Sequence, residues 1–96
     1  MAAEAALQAV PALTAHVIDQ TGTLSAADTQ ALESQLTTLE QTHGSQVVML
    51  MVQTTEPEDI AAYANRIANA WKIGRRDVGD GVLVVVAKAD RKMRIE

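Results

Sequence analysis

The chain has 96 residues, 48% of them hydrophobic and 21% charged, with a formal net charge of −4. A chain of this length fits one domain and buries only roughly two-thirds of the surface its unfolded form exposes, so its core has to be compact. The absence of Cys excludes disulfides, thiolate zinc sites and cysteine nucleophiles together.

Residues 1–12 are rich in Ala and run into Val10-Pro11, where Pro holds its predecessor extended; they read as an N-terminal extension that frays or forms a short helix. His16-Val17-Ile18 begins a strand expected over residues 16–19, followed by a polar loop through Gly22. Ser25-Ala26-Ala27-Asp28 has the form of a helix start, with the Ser hydroxyl accepting from an orphan backbone N–H. Leu32, Leu36 and Leu39 recur at helical spacing as candidate core residues, and Gly44 suits a left-handed stop, which predicts a helix over 26–42. Val47-Val48-Met49-Leu50-Met51-Val52 is continuously apolar, the pattern of a strand covered on both faces, expected over 46–53. Thr55-Glu56-Pro57-Glu58 reads as the start of a second helix over 57–72, with Pro in the first turn and acidic residues at the positive end of the dipole. Its apolar stripe is Ile60, Ala64, Ile67, Ala68 and Trp71, and Lys72 followed by Gly74 marks its end. Val82-Leu83-Val84-Val85-Val86 is a second buried strand, expected over 81–88, and Lys92 to Glu96 alternates as a returning strand over 91–96, joined by a hairpin.

The expected fold class is therefore α/β, a mixed sheet of about four strands with helices packed on it, in the order strand, helix, strand, helix, strand, strand. The connection between the second and third strands is expected to be a right-handed parallel crossover.

Charge divides sharply along the chain. The first 65 residues hold eight acidic groups and no Lys or Arg, and residues 66–96 hold eight basic and four acidic groups, which makes −8 against +4. The simplest consequence is that the two halves neutralise each other in space. The acidic total, and basic residues without interleaved aromatic ones, argue against a nucleic-acid partner. No apolar run approaches the roughly 18 residues of a membrane span.

The candidate site is the acidic glycine loop Asp77-Val78-Gly79-Asp80-Gly81. Its carboxylates are hard oxygen ligands suited to calcium, and its glycines let backbone carbonyls turn toward an ion. The loop lacks EF-hand spacing, and it reads equally as a tight turn in which Asp80 caps backbone N–H groups. Gly74, Gly79 and Gly81 do not have phosphate-loop spacing. Arg75 and Arg76 read as a solvated basic helix end complementing the dipole. His16 and His43 lack zinc-binding spacing, and Ser45 lacks the surroundings of a nucleophile. Met49 and Met51 share one face of a strand and read as core filling, with Trp71 as a core anchor.

Three stretches resemble the TPM domain family, which includes thylakoid-lumen proteins, bacterial envelope proteins and an animal receptor accessory protein. They are Val17-Ile18-Asp19-Gln20-Thr21-Gly22-Thr23-Leu24-Ser25, then Tyr63-Ala64-Asn65-Arg66, then the run from Trp71 through the glycine loop to Ile95-Glu96. The resemblance covers residues 10–96, and it implies a domain over 13–96 without the glycine-rich turn, acidic residue and helical segment that normally follow.

It implies an accessory or interaction module of the bacterial cell envelope or periplasm. The parent protein is expected to be membrane-anchored, with a signal peptide upstream of residues 1–6. An envelope protein is the expected partner, and self-association of the shortened domain is expected as well. Weak Ca2+ binding would fall to Asp77 and Asp80, with Asp19 as a third ligand. The alternative function, taken from plant relatives, is an acid-phosphatase-like hydrolysis of phosphate esters, for which no catalytic residue is assigned.

Overall fold

The computed structural model describes residues 7–73 and 81–96. Along the chain run β1 (Val17–Asp19), α1 (Ala26–His43), β2 (Gln46–Val52), α2 (Ile60–Trp71), β3 (Gly81–Ala87) and β4 (Lys92–Ile95). The strands form one sheet in the order β1-β2-β3-β4, with the first three parallel and β4 antiparallel to β3. This is the mixed α/β architecture expected from the patterning.

Helix α1 starts and stops where its sequence says. The Ser25 hydroxyl accepts from the Asp28 N–H at 3.0 Å, and Gly44, at φ 72°, closes the other end in the left-handed region. Helix α2 departs from expectation at its start and ends at Lys72, where the sequence places its end. Its N-cap is Asp59, which accepts from the Ala62 N–H at 2.8 Å, so Pro57 precedes the helix and does not form its first turn. Thr55 and Glu58 close a turn of their own, with the Glu58 N–H donating to the Thr55 carbonyl at 3.0 Å and the Thr55 hydroxyl donating to the Glu58 carbonyl at 2.9 Å. At the far end the left-handed residue is Lys72, at φ 57°.

The register puts Ile18, Leu50, Val85 and Arg94 in one row across the sheet. On that face lies the core, in which Val48, Leu50, Val52, Leu83, Val85 and Ala87 meet Tyr63, Ala64 and Ile67 of α2. Burying side chains of this kind contributes about 1.5–3 kcal/mol each relative to exposure. The other face carries Val17, Met49, Met51, Val84, Val86, Met93 and Ile95 by strand alternation. Helix α1 packs there, over β1 and β2, and does not touch α2. It covers Val17 and Met51, yet none of its own residues is fully buried; Leu36, expected in the core, is half-buried.

Both crossovers step the same way across the sheet while their helices lie on opposite faces. They therefore have opposite hands, and the right-handed rule holds for only one of them.

The N-terminal segment, from Leu7 on, is irregular rather than helical. It is fastened beside α2. The Gln8 side chain donates to the Thr54 carbonyl at 2.8 Å, Arg66 donates to the Gln8 carbonyl at 2.8 Å, and the Trp71 indole N–H donates to the Pro11 carbonyl at 2.8 Å.

Candidate functional site

Of the expected calcium ligands, Asp77 and Asp80 lie outside the described residues, as do Arg75 and Arg76. Asp19 is the last residue of β1, and its carboxylate is already engaged. It accepts from the Thr21 N–H at 2.8 Å, from the Thr21 hydroxyl, and from the Leu24 N–H at 2.9 Å. Burial works against its charge, but these hydrogen bonds outweigh burial and hold its pKa below the ordinary value. Asp19 pairs with Met51, whereas Gly81 pairs with Gln46 at the start of β2. Five residues of strand, about 16 Å, separate those two levels of the sheet. Among the described residues, no group of three or more His, Cys, Asp or Glu is arranged to hold a metal ion.

One dense polar cluster among the described residues is one that the sequence did not single out. Just before β1, the His16 ring is held at both nitrogens: Nδ1 lies 2.6 Å from Glu33 Oε2 and Nε2 lies 2.6 Å from Glu40 Oε1. The other oxygen of Glu33 accepts from the backbone N–H groups of His16, at 2.8 Å, and Val17, at 3.0 Å. Strand β1 is an edge of the sheet, so Glu33 satisfies outward-facing donors there. The Thr37 hydroxyl adds a longer bond to Glu33 at 3.3 Å. Glu33, Thr37 and Glu40 follow at intervals of four and three residues, which lines them up on one face of α1. That spacing was the readable signal, but His16 is remote in sequence and only folding brings it there.

Electrostatics fixes the charge state of this cluster. Burial disfavours a charged His16, but the hydrogen bonds to Glu40 and Glu33 and their negative charge outweigh burial and raise its pKa above 6.5. Glu33 moves the other way, because its bonds from His16 and from the two backbone N–H groups overcome burial and hold it below 4.5. A cleft opens beside the cluster, lined by Leu13, Thr14, His16, Glu33, Glu40 and Gln46.

The second notable feature is the half of the sheet that no described helix covers. Val84 pairs with Ile95 and Val86 with Met93, on the face away from α2. Helix α1 reaches only β1 and β2, so Met93 stays 63% exposed and Ile95 62% exposed.

The recognised motifs take on structural roles. In Tyr63-Ala64-Asn65-Arg66, Tyr63 and Ala64 are buried, Asn65 donates to Glu96 at 3.2 Å, and Arg66 pairs with Glu58 at 3.0 Å. The Arg66 guanidinium also lies 5.7 Å from the centre of the Tyr63 ring. The opening motif supplies β1, the Asp19-capped loop with Gly22 at φ 69°, and the Ser25 cap.

Comparison with known proteins agrees with this geometry. The solution NMR structure of the N-terminal domain of the cg2496 protein from Corynebacterium glutamicum is similar, with a TM-score of 0.74 and 14% identity over 96% of this chain and 60% of that one. At that identity the likeness shows a shared fold, and the present chain spans 60% of the length of that solved chain. No match is found among curated proteins. A family model described as the TPM domain matches residues 17–96, from the first residue of β1 through all three motifs, and the chain therefore belongs to the TPM domain family.

Proposed function

We propose that this TPM domain is an accessory or interaction module of the cell envelope that engages a partner protein through the uncovered face of β3 and β4. The observation that carries the reading is the pair Met93 and Ile95, large apolar side chains left more than 60% exposed beside Val84 and Val86. The cell-envelope setting is taken from the family. Hydrolysis of phosphate esters fits the described cleft poorly, because Glu33 and Glu40 place carboxylates where a phosphate dianion would need cations.

A photo-crosslinking residue at position 93, compared with one at exposed position 38 on α1, tests the proposal in cells that make the protein. An adduct that forms from position 93, is absent from position 38 and disappears with Ile95→Lys supports it. Equal labelling from both positions overturns it. Crosslinking of the purified chain to itself at rising concentration identifies a second copy as the partner.

Weak calcium binding is a separate proposal, resting on the carboxylates of Asp77 and Asp80 in a glycine-rich stretch. Affinity is expected on the order of 10⁻⁴–10⁻³ M, as in loosely built extracellular sites. Amide signals of residues 74–82 should shift with calcium and lose that response in Asp80→Asn. Silence of those signals well above that range leaves the loop as a turn.

A further inference from the structure

We propose that His16, gripped at both ring nitrogens by Glu33 and Glu40, is a pH-set latch that fastens α1 to the start of β1 when protonated and slackens when neutral.

The geometry carries this by donor counting. A neutral imidazole has one N–H donor and one lone pair, and only the imidazolium has two donors. Both His16 nitrogens lie 2.6 Å from carboxylate oxygens, which can only accept while ionised. Both short contacts are therefore hydrogen bonds only when the ring carries two protons. Losing one sets a lone pair against a carboxylate oxygen at that distance, and one of the two bonds breaks.

The helix it holds is one that can respond. Helix α1 has no fully buried residue, and Leu32, Leu36 and Leu39 are half-buried. Apolar burial therefore anchors it weakly, and the polar fasteners at His16 and Val17 supply a large share of its attachment. No other ionisable group complicates the titration among the described residues lining the cleft. Helix α1 contributes Glu33 and Glu40, β2 contributes Gln46 and Val48, and the segment before β1 contributes Leu13, Thr14 and Ala15.

The sign follows from the direction of each shift. His16 titrates above its ordinary value of 6.5, so its contribution is complete below 6.5 and is lost as pH rises through the raised value. Glu33 titrates below 4.5, so its contribution is complete above 4.5 and is lost as pH falls through the depressed value. The latch is tightest between 4.5 and 6.5.

The test follows the His16 ring by NMR while amide hydrogen exchange is measured across pH and corrected for intrinsic exchange rates. The expected result is a His16 midpoint above 6.5 and protection in α1 that falls as pH rises through it, with α2 unchanged. Protection should fall about tenfold for each unit by which the midpoint is raised. Glu40→Gln, which keeps Glu33 on the strand, should lower the midpoint and shrink the effect. His43→Gln, on the same helix but outside the cluster, should leave both unchanged. A His16 midpoint at or below 6.5, or α1 protection that does not follow the ring's titration, overturns the proposal. His16→Gln should hold α1 at its high-pH protection throughout. Should that variant fail to fold, the wild-type titration and Glu40→Gln decide the matter by themselves.

Discussion

Helix α1 has 18 residues and helix α2 has 12, yet only the shorter one buries side chains completely. Tyr63, Ala64 and Ile67 of α2 are sealed against Leu50, Leu83 and Val85, and their removal from water anchors that helix by area. Helix α1 lies over β1 and β2, where Glu33 and Glu40 bond His16 and Val17. The lesson is that helix length and helix anchoring are separate quantities. A helix held by apolar burial is indifferent to pH, whereas one held by ionised hydrogen bonds can be loosened without disturbing the core.

The contrast can be broken most directly in the core. Ile67→Ala should cost about 2–5 kcal/mol in denaturant unfolding, and Leu36→Ala about 1–2 kcal/mol because its site is half-buried. Equal losses would mean that α1 is anchored as α2 is. Removing the caps sharpens the point. Ser25→Ala and Asp59→Ala should each cost about 0.5–2 kcal/mol. Hydrogen exchange in Ser25→Ala should rise in α1 alone, and a rise in α2 as well would show that the two helices unfold together.

Acidity gives the next smaller effect. Stability of the wild type should decline as pH rises above 6.5 through the His16 titration, and the decline should be shallower in Glu40→Gln. Parallel curves for the two proteins would remove His16 from the account. The smallest expected change lies on the open half of the sheet, where Met93→Lys should alter stability by less than about 0.5 kcal/mol. A larger loss would show that Met93 belongs to the folding core and is not a free surface.

Much of this fold was legible beforehand because local chemistry and global structure agree. Ser25 and Gly44 bracket α1 as expected, since a hydroxyl cap and a left-handed glycine act within a few residues of themselves. The apolar runs at residues 47–52 and 82–86 became the two central strands of the sheet, each flanked by a strand on either side. The start of α2 was misplaced because Pro57 and Asp59 both carry start signals, and the Thr55–Glu58 turn favoured Asp59. The candidate site was less legible. Asp19 entered as a third calcium ligand through the family resemblance alone, and nothing in its sequence surroundings announced the three hydrogen bonds that its carboxylate accepts from Thr21 and Leu24. His16 looked inert because its partners lie 17 and 24 residues away.

What the amino-acid order determined by itself was the set of elements, their caps and the alternation of strand faces, all of which arise from interactions spanning a few residues. Tertiary structure alone decided that the two helices take opposite faces, that Met93 and Ile95 stay exposed among the described residues, and that His16 meets Glu33 and Glu40. The reason is the same in each case. Which face a helix covers, and which distant charges meet, depends on the path of the crossovers through space, and no local propensity encodes that path.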